Sequence, residues 1–284
     1  MHRTVNRLAG AGKGIAFVPT MGFLHEGHLA LMREAGSHAN VVITSIFVNP
    51  TQFGPSEDFT AYPRDLDRDA ALAESAGVDI LFTPSADAMY GKDHETFVDL
   101  DALPNHLCGI SRPGHFRGVV TVVSKLFNIV KPQVAVFGKK DYQQFVIIRR
   151  LVQDLNYDVR ILGVPIVRDI DGVAMSSRNS YLSSEERESA RSLFRGLQEA
   201  QQLVWNDTRD ASILADHVSR LIHSHPHTKI DYVVLCHPET LEAIPRVEEE
   251  TLMALAVHVG PTRLIDNTVL TPNRPSSESN AGLH

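Results

Sequence analysis

IAFVPTMGFLHEGHLALMREAGSHA (residues 15–39) passes from a short apolar run, IAFVPT (15–20), through a polar turn into a helix-period segment, HLALMREAGSHA (28–39). The order strand, glycine-bearing turn, helix predicts one half of a parallel β-α-β unit. The next runs repeat it. VVITSIFV (41–48) reads as a strand buried on both faces, Asp65–Ala76 has polar helical spacing, and VDILFTP (78–84) is again strand-like. FVDL (97–100) is expected as a short extra strand. GVVTVVSKLFNIV (118–130) reads as helix because of its length and the Lys131-Pro132 stop. VAVFG (134–138) is a strand, and Phe145, Ile148, Val152 and Leu155 mark one face of the helix after it. VRILGVPIV (159–167) closes the series. Near-continuous Val/Ile runs separated by helices predict a parallel sheet covered on both faces, with right-handed crossovers.

The pattern changes near residue 180. Ser183 and Glu186 form an S-x-x-E capping box that opens a long polar helix to about Trp205. A second helix over 211–223 precedes strands at 229–236 and 252–259, with RLID (263–266) as a candidate third. The expected architecture is therefore α/β. A Rossmann-like parallel-sheet nucleotide-binding domain covers 1–175, a smaller α+β lid domain covers 176–284, and the Ser/Pro/Asn-rich tail TPNRPSSESNAGLH is frayed.

Composition narrows the class. The 284 residues are 43% hydrophobic and 21% charged, which excludes a disordered chain, a collagen or a coiled coil. A net charge of −7 argues against nucleic-acid and membrane-surface partners. No stretch approaches the ~20 apolar residues of a membrane span. The two cysteines, Cys108 and Cys236, lack metal-ligand spacing and suit a reducing cytoplasm.

Four polar stretches leave strands at the carboxyl edge, where ligands of open α/β sheets bind. In PTMGFLHEGH (19–28) a helix N-terminus offers unpaired N–H groups, Gly22 and Gly27 allow close backbone approach, and His25 and His28 share one side of the first turn. Two polar histidines capping a helix is the competing explanation. FVNPTQF (47–53) leaves the second strand. FGKKDYQQ (137–144) is strand to helix, with Asp141 also suited to a plain N-cap. VAMSSRN (173–179) is a small-residue loop whose serines and arginine suit a polyphosphate. Two decoys fall away. Gly10-Ala11-Gly12-Lys13-Gly14 lacks phosphate-loop spacing and precedes its strand. His25-Glu26-Gly27-His28 is one residue short of a zinc-hydrolase motif, so no metal ligand is assigned.

An H-x-G-H element after the first strand, paired with a late serine-rich loop ending in a basic residue, resembles the nucleotidylyltransferase superfamily, relatives of class I aminoacyl-tRNA synthetases. PTMGFLHEGH, SIFVNPTQF, EDFTAYPRDL, SRPGHFRGVVTVVSKLFNIVKP, FGKKDYQQ, GVPIVRDIDGVAMSSRNSYL and RLIDN together resemble the pantothenate synthetase (pantoate–β-alanine ligase) family from about Phe17 to Asn267. The resemblance implies ATP-dependent condensation of (R)-pantoate with β-alanine through a pantoyl adenylate, with Mg²⁺, in a cytoplasmic homodimer. It implies ATP contacts at Met21, Gly22, Phe23, Leu24, His25, Glu26, Gly27 and His28. Further ATP contacts fall at Gly138, Lys139, Lys140, Asp141, Val167, Met175, Ser176, Ser177 and Arg178. Pantoate falls at Gln52 and Gln144, and β-alanine near Gln52. His28, His25, Lys140 and Arg178 carry the chemistry in this reading, as groups that offset phosphate charge. Two departures stand out: the N-terminal helix looks abbreviated, and Lys139 adds a cation beside Lys140. The rival readings are an adenylyl-transferring relative with another carboxylate substrate, or a nucleotide-binding regulator that has lost its chemistry.

Overall fold

A computed structural model describes residues 1–55 and 57–274. The expected fraying of the tail from residue 275 onward lies outside the described residues. The chain divides into two compact units, one formed by 1–169 and 174–177, the other by 170–173 and 178 onward.

In the first unit, α1 (His2–Gly10) precedes β1 (Ile15–Thr20), α2 (Glu26–Gly36), β2 (Val41–Ile46), α3 (Leu66–Ser75), β3 (Ile80–Phe82), α4 (Ala86–Met89), α5 (Leu107–Ser111), α6 (His115–Val130), β4 (Val134–Gly138), α7 (Tyr142–Asp154) and β5 (Arg160–Val164). All strand pairs are parallel, in the order β3-β2-β1-β4-β5. The order reverses between β1 and β4, so their carboxyl ends flank the topological switch point, where a crevice for ligand opens. Ala16, Phe17, Val18, Ile43, Ala135 and Val136 are fully buried, which is why these strands read as unbroken apolar runs.

Two expectations are corrected. Residues 97–100 form no strand. The Val98 N–H donates to the Thr121 hydroxyl of α6 (3.0 Å), and the same hydroxyl donates to the Val98 carbonyl (3.3 Å), so a helix side chain takes the place of a neighbouring strand. Leu155 is not on the buried face of α7. It caps the helix and is 48% exposed, while Phe145, Ile148 and Leu151 face the core. The N-terminus does carry a helix, α1, of nine residues.

The second unit holds α8 (Ser184–Trp205), α9 (Ala211–His223), β6 (Thr228–Cys236), β7 (Thr251–Val259) and β8 (Thr262–Leu270). The strands form an antiparallel sheet, β6-β7-β8. The capping box is present: Glu186 N–H donates to Ser183 Oγ (3.2 Å), and Ser183 N–H donates to Glu186 Oε2 (2.8 Å). One face of α8 and α9, including Leu193, Leu197, Leu214 and Ile222, packs with Leu255 and Val257 of β7 into a separate core.

Candidate active site

The turn after β1 is wound tightly. Gly22 and Phe23 take successive left-handed conformations, φ +84° and +52°. A Cβ on Gly22 would lie 2.8 Å from Ile46 Cγ2 and 3.0 Å from Asp69 Oδ2. On Gly27 it would lie 2.9 Å from the His25 ring. Both glycines therefore make room for the protein's own side chains, where the sequence reading expected room for a ligand.

Asp69 of α3 holds this turn. It is 1% exposed, and its Oδ2 and Oδ1 accept from the backbone N–H groups of Phe23 (2.6 Å) and Leu24 (2.7 Å). Arg68 donates to the Leu24 carbonyl (2.9 Å), and its guanidinium lies 5.1 Å over the Phe23 ring. Sequence reading missed both residues, because on a polar amphipathic helix they look like solvated charges.

His25 and His28 meet, with ring centroids 4.1 Å apart. The His25 backbone N–H donates to His28 Nδ1 (3.3 Å), which leaves Nε2 of His28 to carry the proton. Burial holds His25 down to about 4, and Lys140 adds to this. Burial, His25 and Lys140 hold His28 well below the ordinary value. Both rings are therefore neutral near pH 7, a form in which each can offer an N–H but no positive charge. His25 Nδ1 is buried without a hydrogen-bond partner among the described residues.

The other strand-end elements converge here. Lys140 and Asp141 follow β4, their charged atoms 3.8 Å apart, and both act on the titration of His25. Asp141 takes the N-cap position of α7, but its side chain makes no capping bond. Gln144 sits in the first turn of α7, and its amide makes no hydrogen bond among the described residues. After β5, Met175 N–H donates to the Val167 carbonyl (3.0 Å), and Met175 Cβ lies 3.7 Å from the position a Cβ on Gly27 would take. Gln52 is buried, accepts from Asn49 Nδ2 (3.0 Å) and donates to the Met21 sulfur (3.2 Å). Glu26 is turned to another task, paired with Arg33 on the surface of α2. Ser176 and Ser177 belong to the first unit, and Arg178 to the second.

The strand order and the glycine–histidine turn beside its switch point define a Rossmann-like α/β enzyme. The family model Pantoate-beta-alanine ligase matches residues 1–269. Pantothenate synthetases from Geobacter sulfurreducens and Desulfatibacillum aliphaticivorans are 55% and 53% identical, each match covering 92% of this chain and 92% and 93% of theirs. The crystal structure of pantothenate synthetase from Thermus thermophilus is 43% identical with a TM-score of 0.90, covering 94% of this chain and 98% of that one. That of pantoate-beta-alanine ligase from Francisella tularensis, complexed with beta-gamma ATP and beta-alanine, is 35% identical with a TM-score of 0.78, covering 94% of each chain. The chain belongs to the pantoate–β-alanine ligase family and is an ATP-binding ligase of pantothenate biosynthesis. Among the described residues no helix is long and apolar enough to cross a membrane.

Proposed function

We propose that the chain condenses (R)-pantoate with β-alanine in two steps, a pantoyl adenylate forming with release of pyrophosphate before the amine displaces AMP. The carrying observation is the pair of neutral, desolvated histidines beside Lys140 at the switch point. A carboxylate approaching an α-phosphate needs charge offset and positioning rather than a covalent nucleophile. In this reading the turn over Met21–His28, with Gly138–Asp141, Val167 and Met175–Ser177, binds ATP. His25 and His28 donate N–H groups to phosphate oxygens and Lys140 supplies the fixed positive charge. By the family resemblance Arg178 adds a planar guanidinium suited to phosphate oxygens.

Gln52 and Gln144 hold pantoate. An amide has two donors and an acceptor with two lone pairs. Gln52 spends one donor on a thioether, a weak acceptor, and that bond yields easily to a carboxylate. The amine of β-alanine then attacks the acyl carbon near Gln52, and AMP departs with the former carboxylate oxygen.

No cluster of three or more His, Cys, Asp or Glu side chains that could hold a metal occurs among the described residues. Mg²⁺ is commonly held by one or two carboxylates together with phosphate oxygens and waters. Asp141 and Asp169, the two carboxylates acting on His25, fit that requirement. Bound there with nucleotide, Mg²⁺ would neutralise phosphate charge. The reading also makes the enzyme a cytoplasmic homodimer by family resemblance, and Cys108 and Cys236, which are not joined in a disulfide, suit a reducing compartment.

Incubation with ATP and pantoate alone tests the scheme. Pyrophosphate should be released and pantoyl adenylate retained, with AMP accumulating only once β-alanine is added. Formation of ADP, or pyrophosphate release that requires β-alanine, overturns it.

A further inference from the structure

The segment that carries Gln52 is gripped from behind by three side chains that the adenylation chemistry does not use. Arg112 binds Glu57 through two bonds, Nε to Oε1 at 2.7 Å and Nη2 to Oε2 at 2.6 Å. Arg112 Nη1 lies 3.1 Å from His115 Nε2, and His115 Nδ1 lies 2.8 Å from the Gln52 carbonyl oxygen. The two ends leave one consistent proton arrangement. A guanidinium only donates, so Nε2 accepts; a carbonyl only accepts, so Nδ1 carries the hydrogen. Burial and the adjacent Arg112 hold His115 down to about 4, which keeps the ring in that neutral form.

The grip has a mechanical reason. The Gln52 peptide borders a cavity of about 220 Å³ lined by Thr51, Phe53, His115 and Gly118 among others, so packing alone leaves it room to shift. Its other restraints act on the N–H and Cα side rather than on the carbonyl. A Cβ on Gly118 would lie 2.4 Å from the Thr51 carbonyl oxygen and 2.7 Å from Gln52 Cα, so α6 presses on the peptide that enters Gln52. Asn49, itself bound by Tyr90 Oη at 2.8 Å, holds the Gln52 side-chain oxygen, and its carbonyl accepts from the Gln52 N–H in a long bond of 3.4 Å, so neither contact reaches the Gln52 carbonyl.

We propose that Glu57, Arg112 and His115 form a positioning relay that fixes the Gln52 peptide, and through it the Gln52 amide, for the carboxylate substrate. The inference rests on the reading that Gln52 binds pantoate. The relay predicts an effect on pantoate and not on nucleotide. His115→Phe keeps a ring but removes the donor to Gln52 and should raise KM for pantoate about tenfold, the loss of one buried hydrogen bond. KM for ATP should stay within twofold. His115→Asn places an amide N–H where Nδ1 stands and should recover pantoate KM to within threefold of wild type, a rescue that a purely structural role would not give.

Gln52→Ala separates this inference from the reading beneath it. If that variant leaves pantoate KM unchanged, the Gln52 assignment fails and the relay falls with it. If it raises pantoate KM, adding His115→Phe should contribute less than a further twofold, since the amide being positioned is already gone. Fully additive losses, or an unchanged KM in the single His115→Phe variant, overturn the relay while leaving Gln52 in place. Should His115→Phe fail to fold, Glu57→Gln replaces it. That change slackens Arg112 without opening the core and should raise pantoate KM about threefold; no rise, or an equal rise for ATP, overturns the proposal.

Discussion

The site histidines of the first unit and the paired carboxylates of the second are treated in opposite ways. At the carboxyl edge of the parallel sheet, burial drives His25, His28 and His115 toward their neutral forms. In the second unit the shifted carboxylates are eased into their charged forms. Arg187 does this for Asp171, His217 for Glu199 and Ser212 for Asp210, in each case chiefly by a side-chain hydrogen bond. Arg195 and Glu199, or Arg191 and Glu188, are exposed i,i+4 and i,i+3 pairs worth at most a few tenths of a kcal/mol each. Desolvating a histidine beside a lysine lowers stability at acid pH and helps no packing, and perturbations of this kind cluster at functional sites. The ion pairs on α8 and α9 of the antiparallel unit only need to fold.

The largest expected effect breaks the comparison most directly. His28→Ala should lower kcat by roughly 10²–10³, the scale of one donor to developing charge, with His25→Ala similar or milder. His217→Ala, which removes a histidine of equal chemistry from the other unit, should leave kcat within twofold. Pyrophosphate release under saturating substrates measures both. Equal losses at the two sites would erase the distinction between the units.

Asp69→Ala comes next. It strips the acceptor from two backbone N–H groups in a buried setting and should cost about 2–4 kcal/mol in chemical denaturation. Arg195→Ala on α8 should cost less than about 0.5 kcal/mol. Because Asp69 also shapes the histidine turn, its variant should lose activity below its unfolding transition. Full activity with the same loss of stability would show that the turn needs no clamp.

Acidification separates the units on a finer scale. His25 titrates near 6.5 in the unfolded chain and at about 4 in the fold, so between those values the unfolded state binds more protons. Stability therefore rises with pH across that window and is lost as pH falls from about 6.5 toward 4. His115 acts with the same sign over the same range. In His25→Gln the fall of the thermal midpoint with acid should be shallower than in wild type, because one such group is gone. An unchanged slope would mean that the His25 ring is not desolvated in the native state.

Much of this was legible in the sequence for a simple reason. A parallel strand buried on both faces has little room for charged or large polar residues, so VVITSIFV, with only the small Thr44 and Ser45 among its apolar side chains, and VAVFG announce themselves, and the polar stretches between them must sit at strand ends. The H-x-G-H turn, the capping box at Ser183 and the Lys131-Pro132 stop are local signals of the same kind. What escaped was long-range. Nothing near Asp69 shows that its carboxylate will accept from amides more than forty residues earlier. Arg112, Glu57 and His115 likewise become one chain of hydrogen bonds only after α6 is laid against the turn holding Gln52. Residues 97–100 misled because Thr121 can satisfy a backbone that alternation alone would give to a strand.

The smallest expected effect concerns Gln144 and asks which part of the α/β edge selects the acid rather than the nucleotide. Gln143, its neighbour, is 5% exposed and spends its amide nitrogen on the carbonyls of Leu103 (2.9 Å) and His106 (2.7 Å). Gln144 has no such internal duty, although it occupies the same helix start beside Lys140. One glutamine thus braces the fold, and the next is the one proposed to meet pantoate. Gln144→Ala should raise KM for pantoate about tenfold, as expected when hydrogen bonds to a desolvated ligand are lost, with KM for ATP little changed. Gln143→Ala should instead reduce stability and affect both substrates alike. A pantoate analogue lacking one hydroxyl sharpens the test. It should be a poor substrate for wild type, because it leaves a buried amide unpaired, and should be penalised less by Gln144→Ala. Measuring kcat/KM for both substrates with both enzymes gives the coupling. Additive losses would mean that Gln144 does not touch that hydroxyl, and the acid would then have to be selected from the Gln52 side alone.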